Sequence, residues 1–205
     1  MSTNSPETQR LLDQAKQGES SAVDQLLDQH RTSLRRMIDL RLDPALARRV
    51  DASDIVQDVL LEASKRLADY VKNPAMPFHL WLRHIAKDHI IDMHRKHRLA
   101  QRRSIDKEQS IRPALADQSS MDLAAQFIDQ ELTPASAAIR QELQRRLEGA
   151  VAEMDEDDRE MILMRHFEQL SNQEVAAELG LSEAAASMRY LRAIRRLRTL
   201  LAGEK

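Results

Sequence analysis

Residues 171–198 read SNQEVAAELGLSEAAASMRYLRAIRRLR, and they carry the clearest fold signals of the C-terminal part of the chain. Ser171, with Glu174 three residues later, has the form of a helix capping box. Gly180 suits the left-handed turn after a helix, and Ser182 is placed to cap a second helix. The stretch therefore predicts a helix, a tight glycine turn and a second helix, which can place a helix N-terminus in a DNA major groove.

The second of these helices carries more arginine than a solvated surface requires. Five arginines and no acidic residue lie within residues 189–198. Because they cover several sides of the helix, they suit phosphate contacts on both walls of a groove. A helix, a glycine and a helix are also how helical proteins turn corners, but the arginine run favours DNA binding.

The composition predicts an all-α protein made of two small domains. The 205 residues are 42% hydrophobic, 31% charged and only 3% aromatic, with four glycines, which does not suit sheets or barrels. We predict a first domain at 1–103, an acidic linker at 104–132 and a second domain at 133–205. A short helix is expected near 121–127, and Thr133-Pro134 is expected to open the second domain.

Capping and breaking residues predict the helix boundaries of the first domain. Ser5 followed by Pro6 predicts the start of a short helix that ends at Gly18. The apolar pattern of a longer helix ends at residues 43–44, an Asp-Pro pair. Residues 71–77, VKNPAMP, are predicted to form a loop because two prolines three residues apart remove donors and restrict their predecessors.

The composition also excludes several classes of protein. Without cysteine the chain has no disulfide scaffold, thiolate zinc site or cysteine nucleophile, which agrees with a reducing cytosol. No stretch approaches the ~20 apolar residues that span a bilayer. The opening residues, MSTNSPETQR, lack the apolar run of a signal peptide. We therefore expect a soluble, cytoplasmic protein without membrane insertion.

Charge is balanced in total but not along the chain. The 31 Lys and Arg residues against 33 Asp and Glu residues argue against indiscriminate coating of nucleic acid. Residues 79–103 hold seven basic side chains against two acids, and residues 106–131 hold six acids against two basic side chains. With the arginines of residues 189–198, the order is basic, acidic, basic.

Five histidines in the first basic segment suggest a metal site, but their spacing does not support one. They lie at positions 79, 84, 89, 94 and 97. A spacing of five advances about 140 degrees around a helix, so the first four do not share a face. Only His94 and His97 could do so, and no third ligand is evident. We predict no metal and no cofactor, and interpret the histidines as pH-sensitive positive charge near DNA.

Two segments of the first domain and one of the second resemble a known family when taken together. They are DASDIVQDVLLEASKRL at 51–67, FHLWLRHIAKDHIIDMHRKHR at 78–98, and LEGAVAEMDEDDREMILMRHFEQLSNQEVAAELGLSEAAASMRYLRAIRRLR at 147–198. The chain resembles, over nearly its whole length, the bacterial RNA polymerase sigma factors of the small extracytoplasmic-function group. The resemblance implies a non-enzymatic factor that binds core RNA polymerase and directs transcription initiation at specific promoters.

The resemblance gives each segment a role. The first would grip the β′ clamp of core RNA polymerase, through a polar acidic face on the side of the helix opposite its apolar stripe. The candidate residues are Asp54, Gln57, Asp58 and Glu62. Without the family, this face would be interpreted as merely solvated.

The second segment would open the promoter and read the minus-ten element. Opening takes bases out of the stack, and apolar and basic side chains then hold the strand. Trp81 also fits the core stripe, so a core role stays open. Asp88 stands where the family commonly has asparagine in the pocket for a flipped base, and a carboxylate can only accept hydrogen bonds. The candidate residues are Trp81, Lys87, Asp88, Asp92, Arg95, Lys96 and Arg98.

The third segment would dock on the β flap and read the minus-thirty-five element with a helix-turn-helix from about Asn172 to Leu191. Ala184-Ala185 replaces the usual Gly-Thr, Ser187 replaces a common basic residue, and Tyr190 replaces an aliphatic one. We therefore expect binding without a consensus borrowed from relatives. The candidate residues are Ser182, Glu183, Ala185, Ser187, Met188, Arg189 and Arg192.

The implied partners are core RNA polymerase and promoter DNA, and an anti-sigma factor is a further partner that the resemblance allows. We expect a monomer when the chain is free. One alternative is a dimeric helix-turn-helix repressor or activator on a palindromic operator, which leaves the basic helix at 79–103 unexplained. Another is a hydrolase using His94, His97 and carboxylates, but no nucleophile, base and orienting group are suitably arranged.

Overall fold

The computed structural model describes residues 4–42, 44–47, 49–101 and 137–202, and their regular structure is helical throughout. The prediction of an all-α fold is thereby confirmed. A π-helical turn, Leu163–Phe167, follows directly on the helix that ends at Ile162. The helices are α1 (Pro6–Lys16), α2 (Ser20–Arg41), α3 (Pro44–Ala47), α4 (Ala52–Lys72), α5 (Phe78–Gln101), α6 (Ala137–Glu153), α7 (Glu156–Ile162), α8 (Asn172–Glu178) and α9 (Glu183–Ala202).

The chain divides into two compact units, one containing α1 to α5 and the other containing α6 to α9. The linker predicted at 104–132, its short helix near 121–127 and the Thr133-Pro134 cap lie outside the described residues. The predicted domain boundaries therefore stay predictions. In the part of the chain that is described, no helix combines the length and apolarity that a membrane span needs.

Helix ends in the first unit follow the sequence signals, with one difference. The Ser5 hydroxyl accepts a hydrogen bond from the backbone N–H of Thr8 at 3.1 Å. Gly18 has φ of 87°, a left-handed conformation that glycine adopts without steric cost. However, α4 continues to Lys72, so the first two residues of the loop predicted at 71–77 are helical. Pro74 restricts only the residue directly before it, which lets the helix extend this far.

The first unit is held together by apolar stripes on α1, α2, α4 and α5 that meet in one core. An aromatic cluster joins the end of α4 to the start of α5. Phe78 is fully buried, and the rings of Tyr70 and Trp81 stack with their centroids 4.7 Å apart. Burial of each large apolar side chain contributes about 1.5–3 kcal/mol of stability. The core residues with at most 1% exposure include Leu26, Ile38, Ile55, Val56, Val59, Ala63, Leu82 and Ala86.

The helix-turn-helix of the second unit has the local structure that its sequence predicts. Ser171 and Glu174 form the complete capping box at the start of α8. Gly180 has φ of 64° in the turn, and the Ser182 hydroxyl accepts a hydrogen bond from the Ala185 N–H at 3.2 Å. Helix α9 packs on α6, α7 and α8. Its buried side consists of Ala186, Ala193 and Leu197, so the opposite side faces solvent.

Candidate nucleic-acid and protein interfaces

The four candidate residues of the polar acidic face, three acids and one glutamine, lie on one side of α4. Asp54, Gln57 and Asp58 are exposed, and Glu62 is half-buried one turn further on. The opposite side of α4 is buried in the core of the first unit. The face is therefore anchored by packing while its polar atoms remain accessible.

An exposed leucine on the same side of α4 was missed by the sequence analysis. Leu61 is 56% exposed and lies four residues after Gln57 and three after Asp58, so it neighbours both on the helix surface. The helical spacing of Leu61 from Gln57 and Asp58 is the sequence signal that could have identified it. The face thus combines acidic groups with one large apolar side chain.

The charged minus-ten candidates on α5 whose side chains the structure describes are all exposed. Lys87, Asp88, Asp92, Arg95 and Lys96 are exposed along this helix. The side chain of Arg98 lies outside the described part of the molecule. Arg95 and Asp92 form an exposed ion pair of 3.0 Å, an arrangement that contributes little to stability. Lys87 and Lys96 add accessible positive charge to the described part of this surface.

Two residues of α5 that the sequence places near the basic surface are held in the core. Arg83 belongs to the basic run but is only 4% exposed. Trp81 is half-buried and packs against the core of the first unit, stacked on Tyr70. The core role left open for Trp81 is therefore part of the structure, and its remaining exposed edge is what it could offer to a base.

The minus-thirty-five candidates lie at the Ser182 cap and in the N-terminal half of α9, outside the buried side of this helix. Ser182, Glu183, Ala185, Ser187 and Met188 are exposed, and the Met188 side chain is the most exposed large hydrophobic one in the described residues at 65%. The Nδ2 atom of Asn172 in α8 donates to the backbone oxygen of Glu183 at 2.9 Å. This hydrogen bond ties the two helices together at the end of α9 that would enter a groove.

Two of the predicted DNA-binding arginines have acidic partners within the chain. Arg189 lies 3.5 Å from the exposed carboxylate of Asp157. Arg192 donates from Nη2 and Nε to Oδ1 of Asp158, at 2.9 and 3.2 Å. The hydrogen bonds and the charge of Asp158 raise the pKa of the Arg192 guanidinium above its ordinary value. The sequence analysis missed both aspartates, and their place in the acidic run before the helix-turn-helix was the available signal.

A second polar contact involves Tyr190, the aromatic residue at an aliphatic position of the family. Its hydroxyl lies 2.9 Å from Nε2 of His166, and the two rings are stacked with centroids 5.7 Å apart. The guanidinium of Arg165 lies 5.4 Å from the centre of the Tyr190 ring. Burial lowers the pKa of His166 below its ordinary value. The tyrosine thus joins α9 to the π-helical turn.

The described histidines of α5 form no metal-binding cluster with the acidic residues around them. In residues 4–42, 44–47, 49–101 and 137–202, no cluster of three or more His, Asp or Glu residues could hold a metal ion. His94 instead places Nε2 at 3.4 Å from the backbone oxygen of Arg41. The side chain of His97 is not described.

Comparison with known protein families gives two matches. Residues 23–100 match Sigma-70 region 2, and residues 144–197 match Sigma-70 region 4. The first match contains α4 and nearly all of α5, and the second contains the helix-turn-helix. Together they contain the candidate surfaces of α4, α5 and α9 described above.

Two individual proteins to which this chain is similar are named as RNA polymerase sigma factors. RNA polymerase sigma factor CnrH of Cupriavidus metallidurans is 29% identical over 192 residues, which cover 93% of this chain and 92% of CnrH. Probable RNA polymerase sigma factor RfaY of Xanthomonas campestris pv. campestris is 33% identical over 150 residues, which cover 73% of this chain. The match spans only 34% of RfaY's own length.

Solved structures share the fold. CnrH in complex with the cytosolic domain of CnrY superposes with a TM-score of 0.61 at 25% identity, covering 97% of this chain and 99% of CnrH. The sigma factor RpoE of Bartonella quintana, solved with the anti-sigma factor NepR, gives a TM-score of 0.59 at 19% identity and covers 89% of this chain and 98% of RpoE. The second likeness concerns the fold alone.

Proposed function

Because the chain belongs to the sigma-70 family of RNA polymerase sigma factors, as its resemblance to the extracytoplasmic-function group predicts, we propose that it binds core RNA polymerase and directs initiation at specific promoters. The helix-turn-helix carries this proposal. Its recognition helix α9 buries a narrow alanine and leucine side and exposes Arg192 and most of its N-terminal half, with Arg189 half-buried beside them. In this role the chain binds and positions, and it catalyses no reaction.

The two units contact promoter DNA at different elements. We propose that α9 enters the major groove at the minus-thirty-five element, where its arginines and exposed polar residues meet phosphates and base edges. The exposed half of α5 meets the minus-ten element, with Lys87, Arg95 and Lys96 near phosphates and Asp88 near a base. The basic helix α5, which a dimeric regulator leaves unexplained, has a function in this arrangement.

The acidic face of α4 is the proposed contact with the β′ clamp of the polymerase. Acidic side chains steer association with a basic partner, and an apolar side chain next to them adds area that is buried on binding. Asp54, Gln57 and Asp58 supply the polar groups, and Leu61 supplies the apolar one. The β flap is the proposed partner of the second unit.

Co-elution with core RNA polymerase on a sizing column tests the clamp contact. The Asp54→Ala/Gln57→Ala double variant is expected to lose most of its co-elution with polymerase while keeping the circular dichroism of the wild type. Gln9→Ala/Asp13→Ala is the matched control, because these residues are an exposed amide and acid on α1, joined by a 3.2 Å hydrogen bond. Equal co-elution of both double variants would contradict the clamp assignment.

A regulatory protein is a further proposed partner. CnrH has been solved with the cytosolic domain of CnrY, and its fold covers 97% of this chain. We propose that a protein of this kind binds the chain in the cytoplasm and competes with core polymerase. The purified regulator should then displace this chain from the polymerase on the same column, and simultaneous binding of both would contradict competition.

A further inference from the structure

The guanidinium of Arg192 is held along one of its two edges. Asp158 accepts from Nη2 at 2.9 Å and from Nε at 3.2 Å, and these two nitrogens form the side edge of the group. A guanidinium carries five N–H donors in a rigid planar fork, so the end edge with Nη1 retains donors for another acceptor. The Arg192 side chain is 63% exposed, which makes this edge accessible.

The carboxylate on the other side of this pair is itself fixed in place. The Asp158 side chain is only 4% exposed, and its backbone N–H donates to Oδ1 of Asp155 at 2.9 Å in the first turn of α7. The same helix inserts Met161 and Ile162 into the core of the second unit with no exposure. Asp158 is therefore a rigid support, whereas Arg192 is a long side chain that would otherwise be mobile.

We propose that Asp158 is a positioning residue that orients Arg192 to read a guanine base in the major groove. Arginine donating in pairs to O6 and N7 of guanine is the commonest specific contact between proteins and DNA. Holding the side chain in one orientation before binding reduces the rotamer freedom that is lost when the contact forms. The inference depends on the proposed function, because it requires that α9 lie in a promoter groove.

If Asp158 acts only as a negative charge, its replacement should have the opposite effect on DNA binding from the one expected if it orients Arg192. If its charge matters only as repulsion of phosphate, then Asp158→Asn should strengthen binding and leave sequence preference unchanged. If it orients Arg192, the same variant should lose preference for guanine even though the surface has become more positive. Glu156→Gln is the matched control, because it removes the same charge from an exposed position of the same helical turn.

The experiment measures sequence preference with the full chain bound to core RNA polymerase. Promoter duplexes randomised at the minus-thirty-five element are selected with the wild type and with each variant. Arg192→Ala should reduce the preference for guanine at one position by about 5- to 150-fold, the range for loss of one bidentate contact. Asp158→Asn should reduce the preference at that same position several-fold, and Glu156→Gln should leave it intact.

A double variant and the salt dependence of binding test whether Asp158 acts through Arg192 or only stabilises the fold. The Asp158→Asn/Arg192→Ala double variant should show no loss of preference beyond that of Arg192→Ala, because the aspartate acts through the arginine. Arg192→Ala should also leave the salt dependence of binding unchanged, whereas loss of a phosphate contact would lower its slope by about one. A lowered slope with an unchanged base preference would overturn the inference in favour of a phosphate contact.

Three further outcomes would each overturn the inference about Asp158 and Arg192. Unchanged guanine preference in Arg192→Ala overturns the inference, whether or not Asp158→Asn folds well enough for the assay. If the wild-type holoenzyme selects no sequence at all, the proposed function fails and the inference fails with it. If the wild type selects a motif while all variants match it, the inference alone fails.

Discussion

His30 shows how one buried group makes stability depend on pH. Its ring packs edge-on against Phe78 with centroids 5.3 Å apart, and its buried Nε2 has no hydrogen-bond partner among the residues that the structure describes. Burial, with a smaller effect of nearby His79, lowers the pKa of His30 to about 4. The unfolded chain therefore binds a proton at this site between about pH 6.5 and pH 4, where the folded chain does not.

We expect His30 to weaken the first unit as the pH falls. Its contribution to stability is complete above the unfolded pKa, and the free energy of unfolding should lose about 3 kcal/mol as the pH falls toward 4. Urea unfolding at pH 7 and pH 4.5 measures this loss, with His30→Leu as the comparison because leucine does not titrate. The same loss in the variant and in the wild type would contradict the assignment.

Tyr190 gives a second prediction for a single residue. Tyr190→Phe removes the hydroxyl that pairs with His166, so the second unit should lose about 1 kcal/mol of stability, the usual value for one hydrogen bond. Met188→Ala is the control, since truncation of an exposed side chain usually changes stability by less than about 0.5 kcal/mol. Thermal unfolding followed by circular dichroism measures both. If the two variants were equally stable, the His166 contact would have no energetic role.

The contacts of single residues are where the sequence was least informative. Arg192 and Asp158 are 34 residues apart in the chain, so their pairing depends on how α7 and α9 pack. Leu61 could have been placed next to Gln57 and Asp58 by helical spacing alone. Trp81 fitted the core stripe in the sequence, and the structure places it against that core.

Helices were predictable where their end signals are local. The Ser171 capping box and the left-handed Gly180 are read from a few neighbouring residues, and both are present. The π-helical turn Leu163–Phe167 has no such signal in the sequence. Its Leu163, Met164 and Phe167 are all buried, and Gln169 after it has φ of 57°, so tertiary packing determines this segment.

Two glycines should respond in opposite directions to the same substitution. Gly180→Ala places a side chain at φ of 64° and should destabilise the second unit by about 1 kcal/mol. Gly149 lies inside α6 with nothing within 4 Å of an added Cβ, so Gly149→Ala should stabilise the unit by about 0.5–1 kcal/mol. Urea unfolding of the two variants measures both signs, and a shift in the same direction would contradict the backbone assignment.

For the whole molecule, the sequence predicted the class of fold, and the family resemblance predicted the assignment to sigma factors. Two helical units with a helix-turn-helix in the second followed from periodicity, caps and composition. The roles proposed for α4 and α5 rest on the family resemblance. An acidic or basic helix face alone is also compatible with a surface that contacts only water. Residues 102–136 contain the predicted linker and lie outside the described part of the chain.

Promoter-specific run-off transcription tests whether this chain acts as a sigma factor. Core RNA polymerase from the source organism is incubated with fragments of its genome, with and without the full chain, and transcript start sites are mapped. We expect transcripts with defined starts only when the chain is present, and reduced output with Arg189→Ala at promoters that have a minus-thirty-five element. The same transcripts with and without the chain, or no transcripts in either case, would contradict this expectation.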